Sequence, residues 1–216
     1  MPGMRGQGEH VQKDLVRTAN YMRFPKIQFS LPDWVGEFLS GPGQVYRTIE
    51  ERMRLVIELS RLNVAYETGG PFGAGIFDQK THELLAPGIN MVVQTNCAVA
   101  HAEMIAIMLA NRMVRHYDLG GEGMPAYEMV VSAEPCAMCI GAITCSGIRR
   151  IVCGAREEDA RDIGFDEGPK APDWVGQLAK RGITLLQDVC RDEAAAVLRH
   201  YMENGGIIYN GRQGKK

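Results

Sequence analysis

No apolar run in this 216-residue chain approaches the roughly 20 residues needed to cross a bilayer. The first two dozen residues also lack the apolar core of a secretory signal, so a cytoplasmic protein is expected. Excess charge is missing too: 24 lysines and arginines stand against 26 aspartates and glutamates, for a net charge of −2. A protein that grips tRNA or single-stranded DNA needs a basic track to meet phosphates. The Arg149-Arg150 doublet is of the kind that marks a solvated turn, so nucleic acid is not an expected partner. Repeats and low-complexity stretches are absent, and 45% hydrophobic with 23% charged residues is an ordinary globular balance. Cysteine is sparse, at six residues, and only Cys136 and Cys139 stand two residues apart. A four-cysteine structural zinc site is therefore excluded, and in a chain of this length the set fits a reducing compartment better than a disulfide framework.

What is present centres on His101-Ala102-Glu103 and Pro135-Cys136-Ala137-Met138-Cys139. Zinc favours tetrahedral nitrogen and thiolate ligands, and a catalytic site supplies three while leaving the fourth position open to water. His101, Cys136 and Cys139 make three. At the first turn of a helix, positions i and i+3 share a face, and the helix N-terminus favours the thiolate form. Cys97, four residues before His101, is read as a small buried or loop thiol. Glu103 is better used as proton carrier than as a fourth ligand that would close the site. This H-x-E…P-C-x-x-C pattern is the signature of zinc-dependent base deaminases, with the glutamate as general acid and base.

On these motifs the chain resembles the cytidine deaminase superfamily. Over residues 69–212 it is most similar to bacterial guanine deaminases, through GGPFG, Asn90, the GFDE loop and the C-terminal IIYNGR. The resemblance implies one zinc ion per subunit and hydrolytic release of ammonia from a free nucleobase, guanine first, with aminotriazines such as ammeline also open. It implies that Asn90 bonds the purine edge and the backbone of Ala102 contacts the ring, with Phe72 and Phe165 walling it. Glu167, or else Asp166, meets the ring N–H groups and assists proton transfer. Tyr209 closes the pocket from its own or a neighbouring subunit, and the protein pairs as a homodimer. The better-known members carry Asp-Asp where this chain has Asp166-Glu167. The alternative substrates are cytosine, a nucleoside or tRNA adenosine.

Along the chain, residues 1–43 have no sustained period and read as an arm on the body or on a neighbouring subunit. Residues 44–204 read as the deaminase domain and 205–216 as a tail over the site. Val45, Ile49, Met53, Val56 and Leu59 predict a helix over 44–67. A hairpin follows, with strands 73–77 and 83–90. The His101 helix is expected to bury Met104, Ile105, Met108 and Leu109. Strands over 128–132, 148–153 and 183–186 alternate with helices over 136–145, 174–180 and 193–202, with 155–172 as a long loop. Such alternation favours parallel pairing, giving a three-layer α/β/α domain with a mixed, mostly parallel sheet. Ligands of such sheets sit beyond the carboxyl ends of the strands.

Overall fold

The computed structural model describes residues 24, 27–41 and 45–211. The chain divides into residues 1–30 and residues 31–216. Of the first unit only residues 24 and 27–30 are described, and they form neither helix nor strand. Most of the expected arm, and the last five residues of the tail, lie outside the described residues.

The second unit carries a five-stranded sheet in the order β2-β1-β3-β4-β5, built from β1 (Gly73–Asp78), β2 (Leu84–Ile89), β3 (Tyr127–Ala133), β4 (Arg150–Ala155) and β5 (Thr184–Leu186). Pairs β1/β2 and β1/β3 are antiparallel, and pairs β3/β4 and β4/β5 are parallel. One face is covered by α2 (Ile49–Ala65) and α8 (Arg191–Glu203). The other carries α4 (Ala102–Val114), α5 (Ala137–Ser146) and α7 (Trp174–Lys180), whose core runs from Ala74, Ile76 and Ile151 to Ala106, Ile143 and Leu178. Strands with both faces buried read as continuous apolar runs, and every residue of β3, including Glu128, is buried. Glu128 meets Arg52 of α2 at 2.6 Å, so the buried carboxylate has a counter-charge.

Local chemistry accounts for where the elements begin. Helix α2 starts at Ile49, later than the apolar period suggests, because the Thr48 hydroxyl accepts the Glu51 N–H and Glu51 returns the bond to the Thr48 N–H. Val45 stays outside it in a bridge to Glu83. Short helices appear in stretches expected to be irregular: α1 (Asp33–Phe38), α3 (Val92–Thr95) and α6 (Glu157–Asp162). In α6 the Asp159 carboxylate accepts the Arg156 N–H at 2.7 Å, and three acidic residues occupy its first turn, where the helix dipole favours them. Charge in that stretch marked a helix start rather than a loop. Trp34 of α1 is buried, stacks on Tyr66 at 5.4 Å and donates to the Thr68 hydroxyl.

Helix α4 buries Ala102, Ile105, Ala106 and Ala110, and leaves Met108 38% exposed. The expected face is thus rotated, because small side chains let the helix approach β2 closely. A Cβ on Gly88 of β2 would lie 2.1 Å from the Ala102 carbonyl oxygen, so only glycine fits under the start of α4. This contact sets His101, the residue capping α4, against the sheet.

Candidate active site

Because β1 runs antiparallel to β3, its first residue and the end of β2 lie at the same edge as the carboxyl ends of β3 and β4. Gly73 pairs with Ile89 and donates its N–H to the Ser132 hydroxyl at 3.0 Å. That edge therefore collects Phe72, Asn90 and residues 132–134. Into it point two helix starts, with His101 capping α4 and Cys136 capping α5. Cys139, three residues on, shares the first turn and is fully buried.

His101 Nδ1 lies 3.6 Å from Cys136 Sγ and 3.7 Å from Cys139 Sγ. Zn–S near 2.3 Å and Zn–N near 2.0 Å at tetrahedral angles put nitrogen and sulfur about 3.5 Å apart. The three donors therefore have the spacing of zinc ligands. Among the described residues this is the grouping whose ligand atoms converge. Cys97 stays outside it, in the loop after α3, donating its N–H to the Val92 carbonyl.

Charge in the site is strongly coupled. A hydrogen bond from Cys139, then His101, lowers the Cys136 thiol to about 4 despite burial. The same bond, with burial, raises Cys139. Burial works against the charged form of His101, yet Cys136, Glu103 and Glu167 together hold it above its ordinary value. Burial, reinforced by the Cys136 thiolate, raises Glu103, whose side chain is 8% exposed. Burial chiefly pushes Glu167 up to about 8. Such a set binds a divalent cation by releasing the proton that two adjacent thiols otherwise share.

These groups line a cavity of about 190 Å³. It is smaller than the roughly 300–1,000 Å³ of sites for drug-sized ligands, and so suits a single small ring system. Of the residues expected from the sequence, Phe72, Asn90, His101, Glu103, Cys136, Phe165, Asp166, Glu167 and Tyr209 line it. Cys139 lies beneath. Ala102 is buried and is not among the lining residues.

Phe165 meets Phe72 edge-on at 5.0 Å and Tyr209 at 4.9 Å. Asp166 is exposed and spends its carboxylate on the Gly168 N–H, whereas Glu167 is buried. Asn90 accepts the Val92 N–H on Oδ1 at 3.2 Å, leaving its NH2 group for the cavity. The chain's own tail supplies Tyr209. A Cβ on Gly70 would lie 2.3 Å from the Tyr209 hydroxyl oxygen, so glycine there makes room for the ring.

Three further lining residues carry no sequence signal of their own. Asn210 accepts the Asp166 N–H and donates to the Gly164 carbonyl, both at 2.8 Å, pinning the tail to the loop. Ser132 receives the Gly73 N–H. Glu134, next to Pro135, is held by Gln187 and by the Glu157 N–H at 3.2 Å. Its partners lie 23 and 53 residues away, beyond the reach of local spacing.

Comparison with known proteins places this geometry. The family model "Cytidine and deoxycytidylate deaminase zinc-binding region" matches residues 46–155. A tRNA-specific adenosine deaminase of Buchnera aphidicola is 31% identical over 134 residues, covering 62% of this chain and 81% of the relative. The structure of a guanine deaminase from Nitrosomonas europaea is 43% identical, with a TM-score of 0.79 over 82% of this chain and 97% of that one. Another crystal structure, of a protein in complex with 2,6-diaminopurine, is 44% identical, with a TM-score of 0.80 over 86% of this chain and 97% of that one.

Proposed function

The chain belongs to the cytidine and deoxycytidylate deaminase family and is a zinc-dependent hydrolytic deaminase; from that premise we propose that its substrate is the free base guanine, hydrolysed to xanthine and ammonia. The observation that carries this reading is the small cavity that the buried Glu167 carboxyl, Asn90 and Tyr209 line together with His101 and Cys136. Guanine presents N–H donors on one edge, which a carboxylate can accept, and ring nitrogens that an amide N–H2 can meet. The likeness at 43% identity to a guanine deaminase, against 31% to a tRNA deaminase, supports the same choice. A polynucleotide would need the tail displaced and a basic approach. The reading includes a homodimer working in purine breakdown, as the resemblance implies, in the reducing cytoplasm that the cysteine set fits.

His101, Cys136 and Cys139 would hold the zinc ion, which when bound would supply hydroxide near neutral pH by lowering the pKa of a water from about 15.7 towards 7. Glu103, buried beside the ligands, would carry one proton of the water to a ring nitrogen and the second to the departing amine, which leaves as ammonia. Phe72 and Phe165 wall the ring, Asn90 orients it, and Glu167 holds its N–H edge. Tyr209 excludes water, which strengthens each of these interactions.

The test is ammonia release from zinc-loaded protein given guanine, ammeline, cytosine, cytidine, adenine and a tRNA anticodon stem-loop, with xanthine measured in the guanine arm. Guanine is expected to lead. Turnover confined to cytidine, adenine or the stem-loop would overturn the substrate and leave the family untouched. In the same assay Glu103→Gln is expected to keep its zinc while turnover falls by about 10²–10⁴; full turnover would remove Glu103 from the mechanism.

A further inference from the structure

Glu157 is neither one of the metal-ligating residues nor part of the cavity lining, yet its bonds reach both sides of the site. It is the first residue of α6, separated from β4 by Arg156 alone. Its Oε1 accepts from Arg161 Nε at 2.6 Å, and its Oε2 lies 2.9 Å from Lys170 Nζ. Arg161 passes on to the Gly168 carbonyl at 3.2 Å. Lys170 is 5% exposed along its side chain, with its ammonium 5.2 Å from the Trp174 ring. One carboxylate thus holds, through two cations, the segment that directly follows Glu167. Its own N–H donates to Glu134 Oε2, two residues before Cys136. The circuit closes where the Ala137 N–H donates to the Glu167 carbonyl at 2.9 Å.

We propose that Glu157 is a positioning residue, which couples the loop carrying Phe165 and Glu167 to the segment carrying the zinc-binding cysteines and so sets the spacing between substrate grip and metal. The physical reason is Lys170. A buried ammonium that loses its counter-charge is strongly unfavourable, whereas removing both charges of a buried pair is often tolerated. Without Glu157, the least costly relief is for residues 168–170 to swing outward and hydrate the ammonium, drawing Glu167 from the cavity. Without both charges no such drive exists.

The kinetic arm of the test rests on the guanine reading, and the exchange arm does not. In zinc-loaded Glu157→Gln, amide hydrogen exchange over residues 163–170 is expected to quicken by about tenfold or more. Zinc stoichiometry is expected to hold, and KM for guanine to rise by a similar factor with a smaller change in kcat. Adding Lys170→Met is expected to restore both readouts to within about threefold of wild type, a rescue that a general loss of stability would not show. Wild-type exchange in Glu157→Gln, or a double variant as impaired as the single, overturns the proposal. If Glu157→Gln does not fold, Glu157→Asp keeps the charge but is too short to span both cations, and faster loop exchange is expected there; wild-type exchange overturns it. Altered exchange with rescue, in a protein that does not turn over guanine, upholds Glu157 and sinks only the substrate.

Discussion

At the residue scale the site contains two carboxyls that burial pushes the same way. Glu103 stands beside the ligands, and Glu167 faces it from the loop after α6. The Glu167 carboxyl, ordinarily near 4.5, is raised to about 8. A folded-state value above the unfolded one means that the protonated form contributes stability. That contribution is fully present below about 4.5 and is lost as pH rises through about 8. Glu167→Gln cannot ionise. Thermal melts of the two proteins from pH 5 to 9 are therefore expected to show the variant gaining on wild type as pH rises, while its guanine turnover is depressed with zinc retained. A pH-independent gap between the melting curves would show that the carboxyl is not desolvated as described. Legibility differed between the two residues. Glu103 is visible because it shares a helix start with a metal ligand, while Glu167 could be separated from Asp166 only once the loop had buried one carboxylate and left the other exposed.

At the element scale the loop over 163–170 and the tail over 205–211 act together. Asn210 bonds both sides of Phe165, taking the Asp166 N–H and giving to the Gly164 carbonyl. The Tyr201 hydroxyl donates to the Ile207 carbonyl at 2.8 Å, fixing the tail from α8. Asn210→Ala removes two hydrogen bonds, each contributing about 1 kcal/mol net. The tail should then open more often and KM for guanine should rise several-fold, with proteolysis after residue 205 faster than in wild type. Unchanged proteolysis and KM would mean that the aromatic contacts to Tyr209 suffice. Strand and helix identities were largely legible, from β1 through α8, because period and turn chemistry act within a few residues. The rotated face of α4 was not. Its choice of alanines over methionines depends on how closely Gly88 of β2 lets the helix approach, and periodicity carries no information about that distance.

At the scale of the whole molecule, apolar and cationic side chains gather on the outer end of α4. Met108 is 38% and Tyr117 84% exposed, and they line one shallow surface with Asn111, Arg112, Arg115 and His116. Scattered exposed apolar residues are ordinary, but a contiguous group is the kind of surface that associates. Light scattering on the eluted protein is expected to return the mass of a homodimer. A monomer mass would end that part of the proposed function, and would agree with a tail that covers its own chain's cavity.

The sequence by itself singled out the three metal-ligating side chains, the glutamate two residues after His101, and the alternation of strands and helices. Each depends on residues close together along the chain, or on a donor set with few chemical uses. Only the tertiary structure decided which carboxylate of the Asp166-Glu167 pair is buried, and that the chain's own tail lines the cavity. It alone brought Ser132, Glu134 and Asn210 to the site and set Glu157 behind it. Those placements depend on contacts between segments 20 to 60 residues apart, whose meeting follows from strand order and packing rather than from any local pattern.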